Sequence, residues 1–168
     1  MATVFEVGKR IDEMKGVNFS EMVSVVSEYS GADWRQYYRE NIYPEDFYPD
    51  KNPDKNQDKV GYNKILLPFN FSTIDMYVIV WPKHFTSKFH DHAKNGCILK
   101  VLQGNLTEIV FTADSKIVKR RLCENDCNYM SNSMGVHKIE NNSDDVAVTL
   151  HVYSPKKHVT RYFNDLTT

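Results

Sequence analysis

Hydrophobic positions change their rhythm about a third of the way along the chain. Between Asn18 and Gly31, the apolar residues Met22, Val25, Val26 and Tyr29 recur at helical spacing, and Asn18 or Ser20 stands where an N-cap belongs. Gly31 ends that segment, and Asp33 is placed to cap a second helix through Trp34, Tyr37, Tyr38 and Ile42. Residues 50–59 are charged, rich in Asn and Pro and almost free of apolar side chains, which predicts a surface loop. From Gly61 onward the period drops to two, in short runs over 62–67, 73–81, 97–102, 106–111, 117–122, 136–140, 146–153 and 160–163. Clusters such as Lys94-Asn95-Gly96, Gln103-Gly104-Asn105 and Glu124-Asn125-Asp126 separate them as turns. Many short strands at this spacing predict an antiparallel sandwich or barrel, so the chain reads as mostly β with helices packed outside the barrel.

Side-chain parity assigns faces to these strands. In 97–104, Lys100 should point out, leaving Cys97, Leu99 and Val101 pointing in. In 146–153, Thr149, His151 and Tyr153 share one face, while Val146, Val148, Leu150 and Val152 share the other. The apolar face suits a core under the helices. The polar face must find hydrogen bonds or line a site, because an unpaired buried hydroxyl or imidazole costs about 1–3 kcal/mol.

A chain of 168 residues, 41% apolar and 26% charged, is expected to form one globular domain, with a helical layer and loop over 1–60 and a β-barrel over 61–168. A net charge of −1, with no basic stretch longer than Lys119-Arg120-Arg121, gives no electrostatic basis for binding nucleic acid or a membrane surface. No run approaches the roughly 20 apolar residues that span a bilayer. The charged start of the chain (Glu6, Lys9, Arg10, Asp12, Glu13) does not resemble a secretory signal, and three cysteines do not suggest a disulfide framework. The expectation is a reduced, cytoplasmic protein, monomeric and acting on small molecules.

The strongest chemical signal is Phe89-His90-Asp91-His92-Ala93-Lys94-Asn95-Gly96-Cys97. Histidines at i and i+2 on a strand point to the same side, and two imidazoles aimed at one point begin a transition-metal site. His137, in Gly135-Val136-His137, supplies a third imidazole from another strand-like run.

The spacing His90-x-His92-x4-Cys97-x6-Gly104, followed by His137-x3-Asn141, resembles the two metal motifs of the cupin superfamily. Most cupins carry a glutamate where this chain has Cys97. A cysteine there, with three histidines as the ligand set, resembles the cysteine dioxygenase family, as do residues 102–108 and Leu150-His151-Val152-Tyr153-Ser154-Pro155. The resemblance implies a jelly-roll barrel in which His90, His92 and His137 bind one Fe(II) on one face, leaving open positions for a thiol substrate and O2. It implies conversion of L-cysteine to cysteine sulfinic acid, with both oxygen atoms ending on sulfur. It further implies a thioether between Cys97 and Tyr153, and a Thr149–His151–Tyr153 relay in which threonine replaces the usual serine.

One position departs from the family. Where it carries Tyr-x-Arg, with the arginine on the substrate carboxylate, this chain has Tyr62-Asn63-Lys64. Lysine keeps the charge but lacks the planar two-point grip. Cysteamine and 3-mercaptopropionate thereby become rival substrates, although Cys97 argues against the mercaptopropionate branch, which typically lacks that cysteine. A cupin that binds metal without catalysis is the remaining alternative. By resemblance Trp81 lies near the pocket. His84 and His158 have no partner motif and are expected at the surface, and Cys123 and Cys127 read as ordinary thiols.

Overall fold

The computed structural model describes residues 1–37 and 63–163. Tyr62, the 50–59 loop and the expected second helix beyond Tyr37 lie outside the described residues.

Helix α1 (Val4–Asp12) begins at a capping box: Thr3 Oγ1 accepts from the Glu6 amide at 3.2 Å, and the Thr3 amide donates to Glu6 at 2.7 Å. Its buried stripe is Val4, Val7, Gly8 and Ile11. The stripe escapes an apolar reading because it runs through Gly8, where the Phe71 ring closes onto the helix and leaves no room for a Cβ. Helix α2 (Phe19–Ser27) is capped by Asn18 and buries Met22, Val25 and Val26, as its spacing predicts. The described part of the second expected helix, Asp33–Tyr37, is a 3-10 helix. Asp33 does not cap its own segment, because its carboxylate accepts from the Val4 amide at 2.9 Å and from the Tyr29 hydroxyl at 2.7 Å.

Among the described residues eleven short strands follow: β1 (Asn63–Leu66), β2 (Asp75–Trp81), β3 (Phe85–Thr86), β4 (Phe89–His90), β5 (Gly96–Gln103), β6 (Leu106–Thr112), β7 (Ile117–Leu122), β8 (Cys127–Met130), β9 (Gly135–Asn141), β10 (Ala147–Ser154) and β11 (Tyr162–Phe163). One sheet has the order β1-β2-β10-β5-β8, the other β11-β4-β9-β6-β7 with β3 against β9, and the pairings are antiparallel. β8 is absent from the sequence reading because Cys127-Asn128-Tyr129-Met130 carries no inside/outside alternation. Gly135 opens β9 at φ 125°, and a Cβ there would run into the Phe111 carbonyl. That close approach sets His137 opposite Val110.

The two faces of the first sheet do different work. Val148, Leu150 and Val152 of β10, with Met76 and Val78 of β2, pack against Val4, Val7, Val25 and Val26 of the helices. Each such side chain contributes on the order of 1.5–3 kcal/mol by leaving water. Between the sheets, Ile79, Trp81, Leu99, Val101, Leu106 and Ile139 form a second apolar cluster. Thr149, His151 and Tyr153 face this interior, as parity predicts.

Lys100 corrects the parity reading in one respect. It does point away from the interior but is only 2% exposed, because α2 covers it. Its ammonium donates to the Ser27 carbonyl at 2.7 Å and the Asn125 carbonyl at 3.4 Å, tying the end of α2 to the barrel. A cation at a helix C-terminus is favourable.

Candidate metal centre

The two histidines of the HxH motif do not share a strand. β4 ends at His90, and His92 lies in the connection to β5. What holds them together is side chains from elsewhere. Asn132 clamps the His92 backbone, accepting from its amide at 2.8 Å and donating to its carbonyl at 2.9 Å. Asp91, 4% exposed, accepts from the Arg161 amide at 2.8 Å and from Arg161 Nε at 2.7 Å, which ties the motif to the segment leading into β11.

β4 pairs with β9 at His90 and His137, so the third imidazole arrives by direct register. His137 Nε2 lies 2.9 Å from His92 Nε2 and 3.1 Å from His90 Nε2, and all three residues are buried. Tautomers follow from the partners. His137 Nδ1 donates to Glu108 at 2.6 Å, and His90 Nδ1 donates to the Lys88 carbonyl at 3.0 Å. A neutral imidazole has one N–H, so both Nε2 atoms present lone pairs to one another. Burial, reinforced by the neighbouring His137, pushes the His90 pKa down to about 3, and burial lowers that of His92 as well. The three Nε2 atoms, 2.9 and 3.1 Å apart across His137, form a buried set of nitrogen donors aimed at one point. The donor set therefore fits a transition-metal ion.

Glu108 is the site residue that sequence reasoning missed. It is fully buried and accepts from Arg120 Nε at 2.9 Å and Asn128 Nδ2 at 2.7 Å as well as from His137. A carboxylate behind a metal-binding histidine fixes its ring and raises its basicity. The available signal was a glutamate at a position of β6 that parity directs inward.

Thr149 and His151 of the expected relay are within hydrogen-bond distance beside this cluster, and the His151 ring stacks on Tyr153 with centroids 6.0 Å apart. Trp81 Nε1 donates to Thr149 Oγ1 at 2.8 Å, Thr149 Oγ1 is 2.9 Å from His151 Nε2, and His151 Nδ1 is 3.5 Å from Cys97 Sγ. Burial keeps His151 neutral, with the Lys64 charge adding to the effect. Cys97 and Tyr153 are directly opposite in the β5–β10 register and pack with Ala93, the residue after His92. Burial pushes the Cys97 thiol up to about 12, against the pull of Lys64. Trp81 lies in the apolar cluster behind Thr149, with its indole N–H committed to that hydroxyl.

Lys64 does reach the interior. Its ammonium stands 4.3 Å from the centroid of the Tyr77 ring and 4.3 Å from that of Tyr153. Burial lowers its pKa, partly offset by Cys97 and Asp75. His158, expected at the surface, is a correction: its side chain is only 14% exposed, because its ring lies nearly parallel to Tyr153 and its Nε2 is 3.4 Å from Asp91. His84 is exposed and pairs with Asp144, as a surface histidine should.

Two antiparallel sheets closed over a buried three-histidine cluster define a cupin-type fold with a site that could hold a metal ion. The Bacillus subtilis oxalate decarboxylase structure shares this fold at a TM-score of 0.50, with 17% identity over 55% of this chain and 24% of that one. The family described as Cysteine dioxygenase type I matches residues 55–165. Cysteine dioxygenase type 1 of Homo sapiens is 36% identical and that of Rattus norvegicus 30%, each over 90% of this chain and 72% of the relative. The Danio rerio protein of the same name is 35% identical over 94% of this chain and 76% of its own. The chain belongs to the cysteine dioxygenase family, and so to the oxidoreductases. Among the described residues, no helix is long and apolar enough to cross a membrane.

Proposed function

We propose that this protein is a mononuclear Fe(II) thiol dioxygenase that converts L-cysteine and O2 to cysteine sulfinic acid. The observation that carries the reading is the convergence of three buried imidazole nitrogens beside the Cys97–Tyr153 pair. His90, His92 and His137 would hold one Fe(II) per chain. Bound there, iron would supply the redox chemistry that lets a thiolate react with O2.

The chain's own side chains do the rest. Glu108 and the Lys88 carbonyl engage Nδ1 of His137 and of His90, which turns the Nε2 atoms toward one another. Lys64 attracts the substrate carboxylate, and Trp81, Thr149 and His151 form a hydrogen-bonded line that orients the groups around Cys97 and Tyr153. The interior apolar cluster keeps bulk water away from that line. Tyr62 is assigned to the substrate pocket on family resemblance. Joining Cys97 sulfur to a Tyr153 ring carbon would remove a pair of hydrogen atoms, with O2 as the oxidant. Intact-mass spectrometry after turnover should show the lighter species, which Cys97→Ser must lack. Three free cysteines fit a reducing, cytoplasmic setting.

The test is anaerobic loading with Fe(II), then O2 uptake and product mass spectrometry with L-cysteine, cysteamine and 3-mercaptopropionate. Cysteine sulfinic acid as the preferred product, one O2 per thiol, supports the reading. A second reading, oxidation of another small thiol, draws on Lys64, whose single ammonium lacks an arginine's fork. Preference for either alternative thiol would establish it.

A further inference from the structure

Lys64 is a half-buried cation with no carboxylate within ion-pairing distance among the described residues. The nearby acid, Asp75, already accepts from the Lys157 amide at 2.6 Å. In place of an acid, the ammonium meets two aromatic rings, each with its centroid 4.3 Å away. The rings meet edge to face, 5.5 Å apart at 85°, so together they form a fixed corner. A ring face attracts a cation but takes up none of its directed donors as a carboxylate would. The ammonium therefore stays available to an anion arriving beside Cys97.

The two rings differ in what else they do. Tyr153 stands opposite Cys97 and is its proposed partner in the thioether. Tyr77 has no such assignment: it lies opposite His151 on the inward face of β2, half-buried, packed against both the interior apolar cluster and the Cys97–Tyr153 group. A lysine side chain is a flexible stem carrying a point charge, so something must decide where that charge stands. β1 pairs Lys64 with Ile79, a neighbour of Tyr77 along the inward face of β2, which leaves Tyr77 directly along the path of the stem.

We propose that Tyr77 is a positioning residue: its ring holds the Lys64 ammonium against Tyr153 and thereby restricts the substrate class to small thiols that carry an anionic group. The proposal rests on the reading of Lys64 as the anchor of the substrate's anion. Because the anchor is one charge held by π faces, it selects for the anion's charge and its distance from sulfur, not for an amine on the substrate.

The experiment compares Tyr77→Met, Tyr77→Leu, Tyr77→Phe, Lys64→Ala and Tyr77→Met/Lys64→Ala in iron-loaded protein. Two readouts are taken: initial rates of O2 uptake, and anaerobic equilibrium binding of L-cysteine, 3-mercaptopropionate and cysteamine. Tyr77→Met keeps apolar volume and removes the ring, while Tyr77→Phe keeps the ring. Tyr77→Met should raise KM and Kd about tenfold for both anionic thiols, the size expected for loss of a charge-assisted contact, with kcat nearly constant and cysteamine unaffected. Tyr77→Leu should do the same if Tyr77→Met fails to fold. Tyr77→Phe should stay within about twofold of the parent, and the double variant should be no worse than Lys64→Ala alone. If Lys64→Ala weakens the anionic thiols but Tyr77→Met and Tyr77→Leu do not, the positioning role is wrong and the Lys64 anchor stands. If Tyr77→Met weakens cysteamine as much as cysteine, Tyr77 only shapes the pocket and the proposal falls. If Lys64→Ala leaves L-cysteine unchanged, the anchor reading itself falls, and the inference with it.

Discussion

Lys64 and Lys100 sit on opposite faces of one sheet, and both are drawn out of water, yet they are satisfied in opposite ways. On the face covered by helices, Lys100 donates to the carbonyls of Ser27 and Asn125, and that end of α2 closes over it. In the interior, Lys64 faces the rings of Tyr77 and Tyr153. Carbonyls engage a cation's donors and make it part of the scaffold. Ring faces attract a cation without engaging its directed donors. The same contrast runs through β10, where Val148, Leu150 and Val152 build the packed layer while Thr149, His151 and Tyr153 place polar groups in the interior. The difference between the faces is a division of labour: apolar contacts on one side stabilise the strand that holds polar groups in place on the other.

The most direct way to break the interior face is His137→Ala. Removing one of three converging nitrogens should abolish iron binding and activity while the helix-covered face keeps the protein folded. Metal analysis with far-UV circular dichroism checks both halves, and full iron occupancy would sink the ligand assignment.

Acid should also attack the interior first. His90, with its pKa near 3, and His151, also depressed by burial, are neutral in the folded protein, whereas in the unfolded chain each titrates near 6.5. Below about pH 6.5 the unfolded state binds more protons, so stability falls with falling pH until the folded pKa is reached. The slope is at most about 1.4 kcal/mol per pH unit for each group. Metal-free protein should lose Tm steadily between about pH 6.5 and 4, and a flat profile there would contradict the neutral interior.

Glu108→Gln sharpens the picture by keeping shape while removing charge. His137 would lose its carboxylate partner, and iron affinity or turnover should drop about 10- to 100-fold, with the fold intact. An unchanged metal affinity in a competition assay would make Glu108 a packing residue with a satisfied charge.

The smallest effects test the two lysines against each other. Lys100→Ala should cost about 1–3 kcal/mol in urea melts, because it leaves the Ser27 carbonyl without its donor, and should not alter thiol preference. Lys64→Ala should cost under about 1 kcal/mol, since the lost cation–π attraction is offset by relief of a half-buried charge. Equal stability losses would erase the distinction between scaffold and anchor.

Much of this molecule was legible in its residues. Period-two runs from Gly61 onward predicted the longer strands of both sheets but not β3, β4 or β8, and the parity of 146–153 separated the faces of β10 correctly, because side-chain direction along a strand is a local property. His90, His92 and His137 were recognisable because ligand chemistry resides in residue identity, even though the two motif histidines proved not to share a strand. Helix α1 was missed although Thr3 and Glu6 spell a capping box, and Asp33 was misread because its carboxylate caps a helix 29 residues away.

What tertiary structure alone decided was the company each group keeps. Glu108 stands behind His137, Asn132 clamps His92, His158 lies against Tyr153, and Tyr77 meets Lys64, all through pairings between segments distant along the chain. Lys100 shows the limit most clearly: parity gave its direction, but only the docking of α2, 73 residues away, made outward mean buried. Local sequence determines conformation and direction, since these depend on near neighbours. Burial, tautomer and charge state depend on what folding brings from elsewhere, and in this barrel those three properties turn a set of histidines and a lysine into a site.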